Sequence, residues 1–534
     1  MPAEPRARRL SIQPLHPLFL FALIFSALFL LHGPLLRLPY FWDEAGHYIP
    51  AARDLMLTGD LIPHSTLSSA HPPLLMAYLA LWWTLSGTAP AVTRVAMLLL
   101  ASFGLFGVFR LARRLAGIPV AAATTLCTAL YPVFFAQSSL AHPDLPAAAL
   151  NLWGLSFYLE ERRRPAVLLF ALAALTKETA ILVPLALAAW ELLWLLLRRA
   201  RASKFAPLER SLARSVALLL PALPLALWFA YHFHRTDYVF GNPEYFRYNV
   251  EATLHPLRIG LTVLRRLWQV TGYMNLFVLT LAAAAAMMLP PQPEGRTGEE
   301  RPRIALPVQG AFAMVILAHV AALSLVGGAV LARYMLVCIP LVTLLCVSTL
   351  WRRVRGWPLA VGVVCAAFVA GLFFGPPYPY PPEDNLAYRD YVLVHKRAAD
   401  YLVAHDPHAR VLTAWPASDE LTKPYLGYVQ QPIAVVRVDD FSAPQIALAA
   451  QVRSQYDLAF LFSTKYEPAR NLLDRFPAWE RLQTELFHDH RDLPPDVAAQ
   501  LLGGQTILRA RRNGEWATIV DLQHIQSAAA RPPR

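Results

Sequence analysis

The feature that most constrains this chain is a series of long apolar stretches separated by short clusters of arginine and lysine. A membrane-spanning helix needs about twenty apolar residues, or fewer where neighbouring protein covers its ends. Charged residues make up only 16% of the 534 residues, whereas about a quarter is usual in soluble domains. The sequence therefore predicts a polytopic α-helical membrane protein. The predicted spans are 16–36, 91–110, 117–136, 142–159, 166–178, 179–197, 214–233, 270–289, 308–330, 334–350 and 357–375.

The basic clusters predict how these eleven spans are oriented. Short cytoplasmic loops carry an excess of arginine and lysine, and with this count every cluster falls on one side of the membrane. We therefore expect a cytoplasmic N-terminus and an extracytoplasmic C-terminal region, most simply in a bacterial inner membrane. The clusters are Arg6, Arg8 and Arg9; Arg110, Arg113 and Arg114; Arg162, Arg163 and Arg164; Arg198, Arg199, Arg201 and Lys204; Arg296, Arg301 and Arg303; and Arg352, Arg353 and Arg355.

The same distribution argues against nucleic-acid binding, although the formal net charge is +12. A nucleic-acid footprint is a basic patch on one face of a domain, whereas much of the arginine here lies between apolar stretches. The cysteines lie inside apolar stretches without metal-ligand spacing, so we expect no disulfide framework. They are Cys127, Cys338, Cys346 and Cys365.

The chain is predicted to divide at residue 375. Residues 1–375 form a transmembrane domain whose first outer loop, 37–90, carries the catalytic residues. Within that loop Pro73–Gly87 is too short for a span and reads as a helix in the outer interface, as does the second half of 234–269. After the run PPYPYPPED, strand-like pieces such as VLTAW and IAVVRV alternate with helix-like pieces. This order predicts a small extracytoplasmic α/β domain with a partly parallel sheet over 376–534.

Charged residues at the outer ends of the predicted spans are the candidates for chemistry. Asp43 and Glu44 follow the first span, and Asp144 begins the fourth. Lys177 and Arg333 precede later spans on the same side. A charge at a span end avoids the cost of inserting a charge into the bilayer, about 2.5–3.5 kcal/mol. This low cost is enough to explain the position of each charged residue taken alone, without any function. Taken together, the set suits a cleft that binds an anion and removes a proton beside it.

Several short motifs strengthen this interpretation. An Asp-Glu pair at 43–44 follows the first span, His71-Pro72-Pro73 opens the interfacial helix, and Arg94 begins the next span. LTKET is followed by ILVPLALA, and ARYMLVCIPL comes near the end of the bundle. The combination, over about residues 15–350, resembles polyprenol-phosphate-sugar-dependent glycosyltransferases of the GT-C membrane fold. The likeness is to the protein O-mannosyltransferase and aminoarabinose lipid A transferase group.

The resemblance implies roles for individual residues. The catalytic candidates are Asp43, Glu44 and Asp144, with Asp43 as the general base. The candidates for the donor phosphate are Lys177, Arg333 and Arg94. The remaining substrate-binding candidates are His71, Tyr40, Tyr48, Glu178 and Tyr334.

The chain departs from the family pattern at one residue, and the resemblance leaves the need for a metal ion open. His71 stands where the aminoarabinose transferases have lysine, and a neutral imidazole does not replace a permanent ammonium. We expect that no cofactor is required. A divalent metal at Glu44, His71 and Asp144 is an alternative that we do not favour.

The resulting hypothesis is an inverting glycosyltransferase. It would move a sugar from a polyprenyl-phosphate donor to a hydroxyl of a protein, lipid or glycan on the outer face of the membrane. One alternative is a transporter or flippase for a lipid-linked or anionic substrate, although transporters place ionisable groups near the midplane between repeated halves. Another is a non-catalytic envelope assembly protein that docks through its C-terminal region. The sugar, the acceptor and the oligomeric state stay open.

Overall fold

A computed structural model describes residues 16–200, 208–243, 246–247, 250–294, 299–326, 328–464, 475–487 and 491–522. Of the predicted basic clusters, Arg6, Arg8, Arg9, Arg201, Lys204 and Arg296 lie outside these residues. The helices in the bundle are α1 (Pro17–His32), α2 (Ile49–Thr58), α3 (Leu74–Ser86), α4 (Pro90–Leu130), α5 (Pro132–Gln137), α6 (Asp144–Leu159), α7 (Arg163–Thr176), α8 (Leu182–Ala200), α9 (Leu208–Leu219), α10 (Ala222–Thr236), α11 (Pro256–Thr271), α12 (Leu276–Ala286), α13 (Leu306–Leu325), α14 (Cys338–Arg353) and α15 (Trp357–Phe373).

Within the described residues, six helical segments are long and apolar enough to cross a membrane. They are Pro17–Leu35, Pro90–Leu130, Glu178–Leu197, Leu212–Thr236, Pro256–Ala286 and Leu306–Leu325. The chain is therefore an integral membrane protein. Other predicted spans correspond to shorter helices, among them α6, α7, α14 and α15, so the count of eleven and the orientation stay predictions.

Helix α4 contains two of the predicted spans in one broken rod. Its 41 residues are interrupted at Gly117, which adopts φ +84° and ψ 176°. A positive φ is a conformation that glycine reaches without strain, and Pro119 two residues later removes a helical hydrogen-bond donor. The break divides α4 close to where the sequence predicts one span to end and the next to begin.

The region after residue 375 contains a five-stranded mixed sheet. Its strands are β1 (Val411–Ala414), β2 (Val435–Val438), β3 (Leu458–Phe462), β4 (Gln505–Arg512) and β5 (Glu515–Asp521), in the spatial order β2-β1-β3-β5-β4. Strand β1 runs parallel to β2 and β3, whereas β5 runs antiparallel to β3 and β4. The accompanying helices are α16 (Ala387–His405), α17 (Ala417–Thr422), α18 (Ala443–Gln451), α19 (Pro477–Phe487) and α20 (Pro495–Leu501).

The sheet does not form an isolated core. One cluster of buried apolar residues, here called the loop–sheet core, contains first-loop residues such as Tyr40 and Phe41 together with Tyr391 and Phe462. The ring centroids of Phe41 and Tyr391 are 5.2 Å apart. Gly46 lies so close to Trp415 that an added Cβ would come within 2.5 Å of the indole. The C-terminal region therefore packs directly on the predicted catalytic loop.

Candidate functional site

The first loop is fixed to the bundle by a buried ion pair between Glu44 and Arg94, here called the Glu44–Arg94 clamp. The Glu44 carboxylate is fully buried, accepts hydrogen bonds from Arg94 and receives two more from the backbone N–H groups of Phe41 and Ala141, at 2.9 and 2.6 Å. Arg94 also donates to the carbonyl oxygens of Pro39 and Ser139. Because both Glu44 oxygens have partners, the clamp determines the path of the loop.

A second group of charges, here called the ion cluster, lies around Arg333. The Arg333 guanidinium donates a hydrogen bond to Asp43 and another, of 2.6 Å, to Glu383. Its Nε lies 3.3 Å from Oδ2 of Asp144, an ion pair without hydrogen-bond geometry. Asp144 is in turn hydrogen-bonded by the Lys177 ammonium. Acids and bases that are far apart in the sequence thus form one continuous network.

Each member of the ion cluster stands at the end of a helical element. Asp43 immediately precedes a one-turn π-helix, Glu44–Tyr48, and Asp144 is the first residue of α6. Lys177 is in extended conformation directly after α7. Arg333 lies in the short 3₁₀ turn Ala332–Met335 that precedes α14. Because these ends meet, the predicted proximity of Asp43, Lys177 and Arg333 is present in the structure.

Burial and charge shift the protonation equilibria of the ion cluster. Burial would raise the pKa of the Asp43 carboxyl, but the charge and hydrogen bond of Arg333, with smaller contributions from nearby histidines, hold that pKa below its ordinary value. Burial has the larger effect on Glu383 and raises its pKa to about 8, although Arg333 acts in the opposite direction. Asp43 is therefore ionised at neutral pH, whereas Glu383 can take up a proton.

Some buried polar atoms of the ion cluster have no hydrogen-bond partner among the described residues. They are Oδ2 of Asp144, Oε1 of Glu383, Nε of Arg333 and Nε2 of the adjacent His142. Buried polar atoms in folded proteins are nearly always hydrogen-bonded. Unsatisfied atoms concentrated at one place therefore indicate a site for a polar ligand.

Tyr334 carries three cations on one aromatic ring. The Lys177 nitrogen lies 3.9 Å from the ring centroid, and the guanidinium carbons of Arg266 and Arg333 lie 5.4 and 5.7 Å from it. Arg266 is fully buried and donates to Gln269 Oε1 and the Leu331 carbonyl. Its Nε and Nη2 have no partner among the described residues. A buried guanidinium with free N–H groups is suited to an anion.

The other predicted substrate residues border a pocket beside the ion cluster. His71 Nδ1 lies 2.8 Å from Glu178 Oε2, and the Tyr48 ring lies 6.0 Å from His71 and 5.8 Å from His142. Tyr48 and His71 line an open pocket. Polar groups and apolar side chains alternate in the lining, which includes His47, Tyr48, Ser68, His71, Met76 and Trp228.

The predicted residues therefore fall in three places. The ion cluster holds Asp43, Asp144, Lys177 and Arg333, with Tyr334 beside it. The Glu44–Arg94 clamp holds Glu44 and Arg94, and Tyr40 lies against it, its hydroxyl 2.7 Å from Thr93 Oγ1 and its ring 5.5 Å from the Arg94 guanidinium carbon. Tyr48 and His71 line the pocket, and Glu178 contacts His71 beside it.

A metal ion has one candidate position among the described residues. Ligand atoms of Asp43, His142 and Glu383 lie within 4.8 Å of one another. The Arg333 guanidinium, however, already bonds both of these carboxylates. Its positive charge contacts all three residues of the donor set, so this group does not fit a divalent cation while Arg333 keeps its position. The alternative trio of Glu44, His71 and Asp144 is not brought together as one such group.

The structure adds three residues that were not among the predicted site residues: His142, Arg266 and Glu383. Glu383 lies eight residues beyond the last predicted span, in the Pro-rich run PPYPYPPED, so the span-end position that singled out the other charges does not mark it. Arg266 lies on a polar stripe of α11, since Arg258, Thr262, Arg266 and Gln269 are all buried. This stripe has helical spacing, and it lies on the segment that the sequence predicts as an interfacial helix.

Comparison with known proteins finds one family match over part of the chain and several structural matches. Residues 70–234 match the family model of dolichyl-phosphate-mannose-protein mannosyltransferase. No curated protein sequence matches the chain significantly. Among solved structures, ArnT from Cupriavidus metallidurans bound to undecaprenyl phosphate is similar with a TM-score of 0.53 at 14% identity, covering 94% of this chain and 97% of that one.

Two further structures resemble the chain. ArnT from the same organism in the apo state has a TM-score of 0.50 at 15% identity, covering 97% of this chain and 99% of that one. The oligosaccharyltransferase of Archaeoglobus fulgidus in complex with zinc and sulfate has a TM-score of 0.45 at 11% identity, covering 94% of this chain and 73% of that one. The two ArnT structures show that the chain has the fold of ArnT, and the resemblance predicted from its motifs is confirmed at the level of the fold.

Proposed function

We propose that this protein is a membrane glycosyltransferase that moves a sugar from a polyprenyl-phosphate donor to an acceptor hydroxyl. The observation that carries the proposal is the ion cluster, in which Asp43 shares Arg333 with the Asp144–Lys177 pair. The match to a mannosyltransferase family model over residues 70–234 and the ArnT fold support the same reaction class. The ArnT structure holds undecaprenyl phosphate, which supports a lipid-phosphate donor here.

In this proposal, the donor phosphate binds beside Tyr334. Lys177, Arg266 and Arg333 converge on that ring, and the free N–H groups of Arg266 supply donors that need no displaced partner. Charge-assisted hydrogen bonds from arginine and lysine to phosphate are about twice as strong as neutral ones. Arg94, predicted as a phosphate ligand, takes a positioning role because Glu44 and two carbonyl groups occupy it.

The reaction is a single displacement at the anomeric carbon. The acceptor oxygen forms a bond to that carbon while the bond from carbon to phosphate oxygen breaks, and the electron pair leaves with the lipid phosphate. Asp43 takes the proton of the acceptor hydroxyl, which typically contributes about 10²–10⁴-fold to the rate. The cations that bind the phosphate stabilise the charge that develops on it. One displacement inverts the anomeric configuration.

Donor binding also explains how Asp43 becomes a better base. In the substrate-free protein Arg333 holds the pKa of Asp43 low, which weakens its affinity for a proton. A phosphate that draws the Arg333 guanidinium toward itself lessens this effect. The acceptor enters from the pocket lined by Tyr48 and His71, and the base gains strength only when the donor is in place.

The test is label transfer by the purified full-length protein. We expect protein incubated with a radiolabelled polyprenyl-phosphate sugar and a membrane extract to transfer label to an acceptor, or to hydrolyse the donor slowly in its absence. Mass spectrometry of the product then identifies the sugar and the linkage. A protein that binds the donor but neither transfers nor hydrolyses it would support the transporter hypothesis instead.

A further inference from the structure

The short 3₁₀ turn Pro382–Asp384 brings a carboxylate from beyond the last predicted span into the ion cluster. Glu383 is 4% exposed, and its Oε2 accepts the 2.6 Å hydrogen bond from Arg333. This turn belongs to the C-terminal region, to which neither the sequence nor the comparisons assign a function. The contact therefore joins that region to the chemistry proposed for the bundle.

The position of Glu383 is fixed by contacts on both sides of it. Gln137 Nε2 donates to the Glu383 carbonyl at 3.2 Å, and the Tyr273 hydroxyl donates to Asp384 at 2.6 Å. Asn385 donates to the Gly371 carbonyl at 3.2 Å. Because helix α5, the turn before α12 and helix α15 all hold this segment, the Glu383 side chain is directed at Arg333 by the fold itself.

Each nitrogen of the Arg333 guanidinium faces a carboxylate. One terminal nitrogen bonds Asp43, the other bonds Glu383, and Nε, which has no hydrogen-bond partner among the described residues, faces Asp144. A phosphate that takes one of the two terminal positions displaces Asp43 or Glu383. Asp144 keeps Lys177 as a second cation, and Asp43 has to stay near the reacting hydroxyl. Glu383 is the carboxylate whose removal interferes least with the proposed reaction.

We propose that Glu383 occupies the phosphate position on Arg333 in the substrate-free protein and gives way when the donor binds. This inference rests on the proposed function, because it names a residue that controls access to the same phosphate site. Glu383 acts through Arg333 and is a positioning residue. The C-terminal region then sets the affinity of the protein for lipid phosphate.

A leaving Glu383 does not remain as an unpaired buried charge. The titratable and charged groups that face it are Arg333, Asp43, Asp144 and His142, with Asp384 on its own turn. The three acidic groups repel the Glu383 carboxylate, and this repulsion adds to burial in favouring the neutral form. Uptake of a proton as the phosphate arrives would keep the net charge of the cluster nearly constant.

The test compares Glu383→Gln with the wild-type protein, using undecaprenyl phosphate as the probe. Glutamine keeps the shape of the side chain but removes the charge that competes for Arg333. At pH 9, where the Glu383 carboxyl with its pKa of about 8 is ionised, we expect the Kd for undecaprenyl phosphate to fall about tenfold, as one charge-assisted hydrogen bond implies. The KM for the donor should fall in parallel, with no matching rise in kcat, because the product phosphate leaves more slowly.

Two further variants separate this role from a structural one. Asp384→Asn makes the same charge change on the same turn without touching Arg333, and it should leave the Kd within about twofold of wild type. Glu383→Asp retains the charge at a greater distance and should tighten binding by an intermediate amount, about threefold. The Asp variant also serves if Glu383→Gln does not fold.

The outcomes are distinguishable. If wild-type protein binds undecaprenyl phosphate and neither Glu383 variant binds it more tightly, this inference is overturned while the proposed function stands. If Asp384→Asn tightens binding as much as Glu383→Gln, the effect is one of general charge and the inference also fails. Wild-type protein that binds no lipid phosphate overturns both.

Discussion

Asp43 and Glu44 are adjacent in sequence, yet they belong to two ion networks of opposite character. In the Glu44–Arg94 clamp both carboxylate oxygens are hydrogen-bonded and the pair is closed to solvent. In the ion cluster one guanidinium serves three carboxylates, the Asp43 side chain is 22% exposed, and several buried atoms lack partners among the described residues. A network in which every buried polar atom is hydrogen-bonded stabilises the fold. A network in which some buried polar atoms lack a partner can bind a ligand.

Replacing Asp43, the predicted base, should have the largest effect of any variant on the transfer rate. A small effect would contradict the assignment of the ion cluster to chemistry and of the Glu44–Arg94 clamp to structure. Asp43→Asn keeps the size of the side chain but removes its ability to accept a proton. We expect transfer to fall by about 10²–10⁴-fold, measured as initial rate of label transfer, with binding of undecaprenyl phosphate retained. Full activity in this variant would remove Asp43 from the mechanism.

Replacing its neighbour should act on stability instead. Glu44→Gln leaves the Arg94 guanidinium buried without a carboxylate, and breaking such a pair typically costs about 3–5 kcal/mol of folding free energy. We expect a markedly lower unfolding temperature in detergent, with transfer per folded molecule close to wild type. If the folded variant were inactive and as stable as wild type, Glu44 would have a catalytic role, and the Glu44–Arg94 clamp would not be a structural element.

A variant of Arg266 tests whether this residue binds the donor phosphate. Arg266→Met removes the two nitrogens that carry free N–H groups beside Tyr334 while keeping apolar bulk. Loss of charge-assisted hydrogen bonds should weaken undecaprenyl phosphate binding by about ten- to a hundredfold. Arg265→Met is the matched control, because Arg265 is the neighbouring arginine and is exposed. Equal losses in the two variants would show a general attraction to positive charge.

A pH titration should give the smallest effect. The pKa of Glu383 is raised to about 8, so its carboxylate competes for Arg333 above that pH and is neutral below it. Undecaprenyl phosphate should therefore bind about three- to tenfold more tightly at pH 7 than at pH 9. The second phosphate pKa, near 6, lies below this window. Glu383→Gln should show a flat profile, and a slope equal to that of wild type would contradict the assignment.

The sequence predicts part of this site because helix ends carry a readable signal. Asp43, Asp144, Lys177 and Arg333 each follow or begin an apolar stretch, and a consistent orientation places them on one side of the membrane. The structure then brings them together. The sequence does not specify which acid pairs with which base, because Arg333 and Asp43 are separated by 290 positions. Likewise, nothing in the sequence shows that Glu44 pairs with Arg94 instead of contacting a substrate.

The contribution of the C-terminal region was also beyond sequence reasoning. The Pro-rich run that contains Glu383 reads as a domain boundary, and nothing in it shows that it turns back to Arg333. The strands VLTAW and IAVVRV were recognised from their apolar pattern, whereas β4, with three arginines in eight residues, was not. The packing of Trp415 on Gly46 depends on tertiary contacts that no local pattern records.

The most direct test of the difference between the two networks is an experimental structure of the protein with undecaprenyl phosphate bound. We expect the phosphate within hydrogen-bond distance of Arg333, Arg266 and Lys177, with Glu383 released from Arg333 and the Glu44–Arg94 pair unchanged. A phosphate bound away from Arg333, or one that opens the Glu44–Arg94 pair while the ion cluster stays intact, would contradict the account.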